Sequence, residues 1–114
     1  MDLAGRRTDY AKANLDESDL GADPIAQLGA WLEQAEQAEL PEPNAMTLCT
    51  VASTGAPSAR VVLLRGLDDR GLAFYTNYTS RKGRELAANQ QVSLVFFWPQ
   101  LERQVRVEGV ASRV

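Results

Sequence analysis

The chain has 114 residues, 45% of them hydrophobic and 24% charged, which suits one globular domain and is too short for two. A net charge of −3 argues against a broad nucleic-acid or anionic-membrane surface, so any anion site must be local. With no histidine and one cysteine, the chain lacks Ser-His or Cys-His nucleophile pairs, an internal disulfide and the usual zinc ligand sets; redox chemistry would need an organic cofactor.

Residues 1 to 22 are polar and aperiodic and read as an N-terminal arm. They lack the apolar core of a signal peptide, and no run in the chain is long enough to span a bilayer, so the cytoplasm is the expected location. A helix should follow. Asp23 suits the N-cap, Pro24 the first helical position, and Ile25, Leu28, Trp31, Leu32 and Ala35 recur at helical spacing. The two prolines of LPEPN stop it.

From residue 45 the period changes to two. AMTLCTVAS reads as a strand, STGAP as a turn and SARVVLLRGL as a second strand. DDRG is a hairpin loop with Gly71 free to take positive φ, and LAFYTNY a third strand. Ser80 can N-cap a helix over 81–88 that Asn89 closes. QVSLVFFW, a PQL turn and ERQVRVEGVASRV add a fourth and a fifth strand. The expected architecture is mainly β with helices, an antiparallel meander interrupted by a short helix. VVLL, apolar at consecutive positions, reads as a central strand covered on both faces, by a helix or another subunit. Cys49 reads as a small buried hydrophobe. The last strand meets the C-terminus without a turn or cap, so the domain over 23–114 is expected to be incomplete there.

Four segments could carry chemistry. In TSRKG, free amides at a helix start, the Ser80 hydroxyl, Arg81 and Lys82 would form a phosphate pocket. Two cations at the electropositive end of a helix are unfavourable unless something negative faces them; a solvated charged turn is the alternative. In RVVLLR, Arg60 and Arg65 lie five apart and point to opposite faces of a regular strand, so they do not grip one small anion unless the strand ends or bulges between them. In FYTN, Phe74, Thr76 and Tyr78 share one face and Tyr75 and Asn77 the other, as packing residues or as ligand contacts. In ERQVRVEG, Arg103, Val105 and Val107 point one way and Gln104, Arg106 and Glu108 the other; Gln104 is either a surface side chain or a hydrogen-bond partner for a heterocycle.

Taken together, the run from RVVLLR through YTN-x-x-SRK to LERQVRVEG resembles the flavin-binding half of the pyridoxine/pyridoxamine 5′-phosphate oxidase family. RTDYAKANLDESDLGADP is similar to that family's substrate-contacting arm, and the Trp31 helix to its first helix. The resemblance implies a flavin-binding split β-barrel working as a homodimer, with FMN at the subunit interface. By position, Arg60, Val61, Val62, Leu63, Leu64 and Arg65 would line the flavin, and Tyr75 and Thr76 would contact it. Ser80, Arg81 and Lys82 would hold its phosphate, and Gln104 would hydrogen-bond its ring. Arg7, Thr8, Asp9 and Tyr10 would close over the substrate, with Arg65 at the substrate phosphate. The implied reaction oxidises pyridoxamine or pyridoxine 5′-phosphate to pyridoxal 5′-phosphate, with O2 as acceptor and hydrogen peroxide as product. Two departures stand out. Arg65 replaces the family's usual lysine, and a guanidinium fork is not equivalent to an ammonium point charge. Family members also continue beyond residue 114, into further strands, flavin contacts given to the partner subunit and an arginine-histidine pair near the substrate. A related split-barrel flavin oxidase with another substrate, and a non-catalytic FMN-binding or dimerisation fragment, are the competing readings.

Overall fold

The computed structural model describes residues 1–5 and 21–113. Helix α1 (Pro24–Gln37) begins as its sequence predicts: the Asp23 carboxylate accepts from the Ile25 and Ala26 N–H groups, two donors a helix start leaves unpaired. Its apolar stripe buries Leu28 and Ala35 and packs Trp31 and Leu32 against the core.

Strands β1 (Ala45–Val51) and β2 (Pro57–Leu63) form an antiparallel hairpin with Thr47 opposite Val61 and Leu48 opposite Arg60. The second strand does not continue to residue 67 as expected, because the backbone changes partners. Leu64 N–H donates to the Asn44 carbonyl and Arg65 N–H to that of Ala73. A separate hairpin results, β3 (Gly66–Asp68) and β4 (Gly71–Ala73), turned at Gly71 with φ 138°, where a Cβ would be strained. The third strand, expected over 72–78, stops at Ala73. Farther along, Asn77 turns the chain: its Oδ1 accepts from the Thr79 N–H and hydroxyl, and its carbonyl from the Ser80 N–H. Such local bonds compete with a strand ladder.

Helix α2 (Arg81–Ala88) follows, capped by Ser80. Asn89 ends it in extended backbone, φ −144°, not in a left-handed cap. Strand β5 (Gln91–Trp98), a 3-10 turn over Pro99–Leu101 and strand β6 (Arg103–Val110) complete the order. The last strand ends four residues before the C-terminus.

The sheet order is β2-β1-β5-β6, not a simple meander. Helix α2 returns the chain so that β5 pairs with β1, leaving the β3–β4 hairpin outside the main sheet. VVLL therefore lies on and just beyond an edge strand, not a central one, and Val61 is 67% exposed.

One face of the sheet is closed. Met46, Leu48, Leu94, Phe96 and Trp98 are buried there with Leu28, Ala35 and Leu64, and Leu67 and Leu72 of the small hairpin pack against them. The Phe96 and Trp98 rings lie 5.6 Å apart, and Trp98 Nε1 donates to the Pro43 carbonyl at 2.9 Å, satisfying its polar edge. The other face is open. Val61, Thr47, Val95 and Arg106 form one row across all four strands, with Phe97 and Val110 exposed nearby. Cys49 belongs to this face and is only half-buried, contrary to expectation. Among the described residues no helix is long and apolar enough to cross a membrane.

Candidate cofactor-phosphate site

Between β4 and α2 the chain packs a tight cradle. Ser80 Oγ accepts from Gly83 N–H at 3.1 Å and donates to the Asn77 carbonyl at 2.7 Å, so the hydroxyl both caps α2 and ties it to the preceding loop. Gly83 is there for space. A Cβ at this position would lie 2.5 Å from the Asn77 carbonyl oxygen and 2.8 Å from Tyr78 Cα, backbone atoms that cannot swing aside. Lys82 reaches back and its Nζ donates to Thr76 Oγ1, which brings Thr76 and Lys82 together although six residues separate them.

The second cation has a partner inside the chain. Arg81 Nε donates to Glu85 Oε1 at 3.0 Å, one helical turn on, which answers in part why a cation tolerates the helix start. The Arg81 side chain remains 68% exposed while that of Glu85 is 6% exposed. The other carboxylate oxygen of Glu85 faces the sheet. It accepts from Ser58 Oγ at 2.5 Å and from the Thr50 hydroxyl, with Arg60 Nη2 at 3.5 Å. Arg60 also donates to Ser58 Oγ and Thr50 Oγ1, each at 2.7 Å, and to the Leu48 carbonyl at 3.2 Å. Its terminal N–H groups are thus committed within the chain. Guanidinium donates to hydroxyl, and hydroxyl donates to carboxylate. Those hydroxyls, first Ser58 and then Thr50, together with Arg81, hold the Glu85 carboxyl at about 2, well below its ordinary 4.5, against the opposing effect of burial.

The other predicted residues divide by face. Val61, Leu63 and Gln104 belong to the open face, whereas Val62 and Leu64 pack toward the core. Arg65 is exposed just past the end of β2, so the alternation that would oppose it to Arg60 does not reach it. Tyr75 is 80% exposed on the loop after β4. Arg7, Thr8, Asp9 and Tyr10 lie outside the described residues. The sequence reading missed Thr50, Ser58 and Glu85. Glu85 stands four residues after Arg81, a spacing legible on any helix. Thr50 and Ser58 carry no such signal, since only the β1–β2 register sets them opposite each other.

The family model described as pyridoxamine 5′-phosphate oxidase matches residues 32–114. This chain belongs to the pyridoxamine 5′-phosphate oxidase family. It is 58% identical over 112 residues to the pyridoxine/pyridoxamine 5′-phosphate oxidase of Salinibacter ruber, covering 98% of this chain and 52% of that protein. The chain spans about half the length of the curated relatives it matches. Among solved structures, PhzG from Burkholderia lata 383, in complex with tetrahydrophenazine-1-carboxylic acid, superimposes with a TM-score of 0.82 at 36% identity. That match covers 90% of this chain and 51% of PhzG. A pyridoxamine 5′-phosphate oxidase-related, FMN-binding protein from Nostoc punctiforme shares the fold, with a TM-score of 0.68 at 22% identity over 80% of this chain and 47% of that one. The family's split barrel is thus the fold of this oxidase-family chain, present as an open four-stranded sheet with a flanking hairpin.

Proposed function

We propose that this chain is the cofactor-binding portion of an FMN-dependent oxidase that converts pyridoxamine or pyridoxine 5′-phosphate to pyridoxal 5′-phosphate, with dioxygen as acceptor. Residues 23–114 would form the FMN domain and residues 1–22 the substrate arm. The observation that carries this reading is the exposed Arg81 guanidinium beside Lys82 at a capped helix start, in a chain whose sheet leaves uncovered a face that includes Val61 and Phe97. FMN needs both features: cations and helix amides for a phosphate, and a flat apolar surface for a fused ring.

When bound, FMN supplies the two-electron acceptor that dioxygen regenerates. The chain's own residues bind and orient. Arg81, Lys82 and the amides following Ser80 hold the phosphate. The segment from Arg60 to Arg65 lines the ring, with Val61 and Leu63 able to use side chains and Val62 and Leu64 only backbone. Gln104 offers an amide to a ring edge, and Tyr75 and Thr76 close the phosphate side. Arg65 takes the substrate phosphate, and Arg7 to Tyr10 exclude water above it. A second copy of the chain would cover the open face, making a homodimer with the cofactor at the interface.

A second reading, a related oxidase acting on an unphosphorylated substrate, is favoured by the likeness to PhzG. The higher identity to proteins named as pyridoxine/pyridoxamine 5′-phosphate oxidases favours the first. Arg81→Ala with Lys82→Ala tests the cofactor site. Charged hydrogen bonds to phosphate contribute roughly 1.5–3 kcal/mol each, so FMN affinity should fall more than about tenfold while riboflavin, lacking the phosphate, is little affected. Equal losses for the two flavins would remove the cations from the site. Turnover of pyridoxamine 5′-phosphate, followed with flavin absorbance, separates the two substrate readings.

A further inference from the structure

Glu85 is buried, ionised and bonded on both oxygens, yet it lies behind the cations that the proposed function assigns to a phosphate. A negative charge there is electrostatically adverse to an anionic ligand. Its geometry gives it another task. Oε1 takes the Nε–H of Arg81, while the Arg81 side chain as a whole stays 68% exposed and so keeps guanidinium donors in reach of a ligand. Oε2 is held from the opposite side by Thr50 of β1 and by Ser58 and Arg60 of β2. The carboxylate is thus a bridge from two strands of the sheet to the first turn of α2. Arg60, its terminal N–H groups taken up inside the chain, is the far anchor of that bridge.

We propose that Glu85 is a positioning residue for phosphate recognition: it locks the Arg81 guanidinium against the β1–β2 hairpin, so that the helix start presents a fixed donor pair instead of a mobile side chain. This rests on the reading of Arg81 and Lys82 as phosphate contacts. Free arginine side chains lose rotamer freedom when they bind; a carboxylate that already fixes the guanidinium lowers that cost. The carboxylate offsets one of three nearby cations and leaves a positive excess suited to a dianionic phosphate.

The sign of the effect separates positioning from bulk charge. If Glu85 acts only through its charge, Glu85→Ala relieves repulsion and tightens FMN, and Glu85→Asp, which keeps the charge, changes nothing. If it positions Arg81, both variants weaken FMN, by about fivefold or more, with riboflavin affinity unchanged within about twofold. Binding is read by flavin fluorescence quenching on the whole protein, alongside thermal melting. Glu85→Asp shortens the side chain by one methylene and keeps the test open should Glu85→Ala fail to fold. Tighter FMN binding in Glu85→Ala, or equal losses for FMN and riboflavin in Glu85→Asp, overturns the proposal. The Arg81→Ala, Lys82→Ala pair is measured beside them. Selective loss of FMN in that pair, without loss in the Glu85 variants, sinks the positioning role alone; equal flavin losses in the pair sink the phosphate site beneath it.

Discussion

The two faces of the four-stranded sheet come from the same strands, residue by alternate residue, yet they are finished differently. On one, Met46, Leu48, Phe96 and Trp98 are almost completely buried, with α1 and the β3–β4 hairpin packed against them. On the other, Val61 and Phe97 stand more than half exposed in a field that also holds Thr47, Cys49 and Val95. The closed face is where the chain obtains its own stability; the open face is the one that the proposed function assigns to a ring or a second subunit. Between them, at one end, sits the Glu85 bridge, which uses the closed face to hold a cation that points outward.

The largest effect should come from the closed face. Phe96→Ala removes a fully buried ring from the centre of the core and should cost about 3–5 kcal/mol in urea unfolding. A loss near zero would mean that the core is not where the packing places it.

Gly83→Ala comes next. A Cβ 2.5 Å from the Asn77 carbonyl must push the start of α2 away from the loop, at about 1–3 kcal/mol, the range for overpacking. Because the same shift moves Arg81 and Lys82, FMN affinity should fall with stability. A variant as stable as the parent would show that the loop yields instead.

Acid separates the bridge from both faces. Glu85 has a folded value of about 2 against an ordinary 4.5, so between these values the unfolded chain binds the extra proton. Its contribution to stability is fully present above about pH 4.5 and is lost as pH falls toward 2. The groups facing it are Arg60, Arg81 and the hydroxyls of Thr50 and Ser58. In urea midpoints measured from pH 6 to pH 2, Glu85→Gln should show a shallower decline than the parent. Parallel curves would contradict the depressed value.

The smallest stability effect should come from the open face. Val61→Ser changes an exposed edge position and should alter the unfolding free energy by no more than about 0.5 kcal/mol. Its effect belongs elsewhere, in weaker flavin binding or self-association on size-exclusion chromatography. A loss as large as that of Phe96→Ala would erase the distinction between the faces.

Much of the local structure was legible in the residues. Asp23-Pro24 announces α1, Ser80 caps α2, and the alternation in ERQVRVEG assigns Gln104 and Val105 to opposite faces of β6. These signals succeed because capping and strand alternation depend on neighbours within a few residues. Motif order in YTN-x-x-SRK and LERQVRVEG also carried the family, since a motif match needs no folded geometry. Tertiary structure alone decided where VVLL lies. Composition says that a strand is apolar on consecutive residues, not whether its own chain or a partner covers it, and here the return through α2 leaves β2 at the edge. It also decided that LAFYTNY yields to a turn at Asn77 and that Arg60 bonds inward while Arg65 lies past the strand's end. The Glu85 bridge is the clearest case. Nothing in the sequence joins Thr50, Ser58 and Arg60 to Glu85, and only strand register combined with helix docking, interactions spanning up to 35 positions, brings them to its carboxylate.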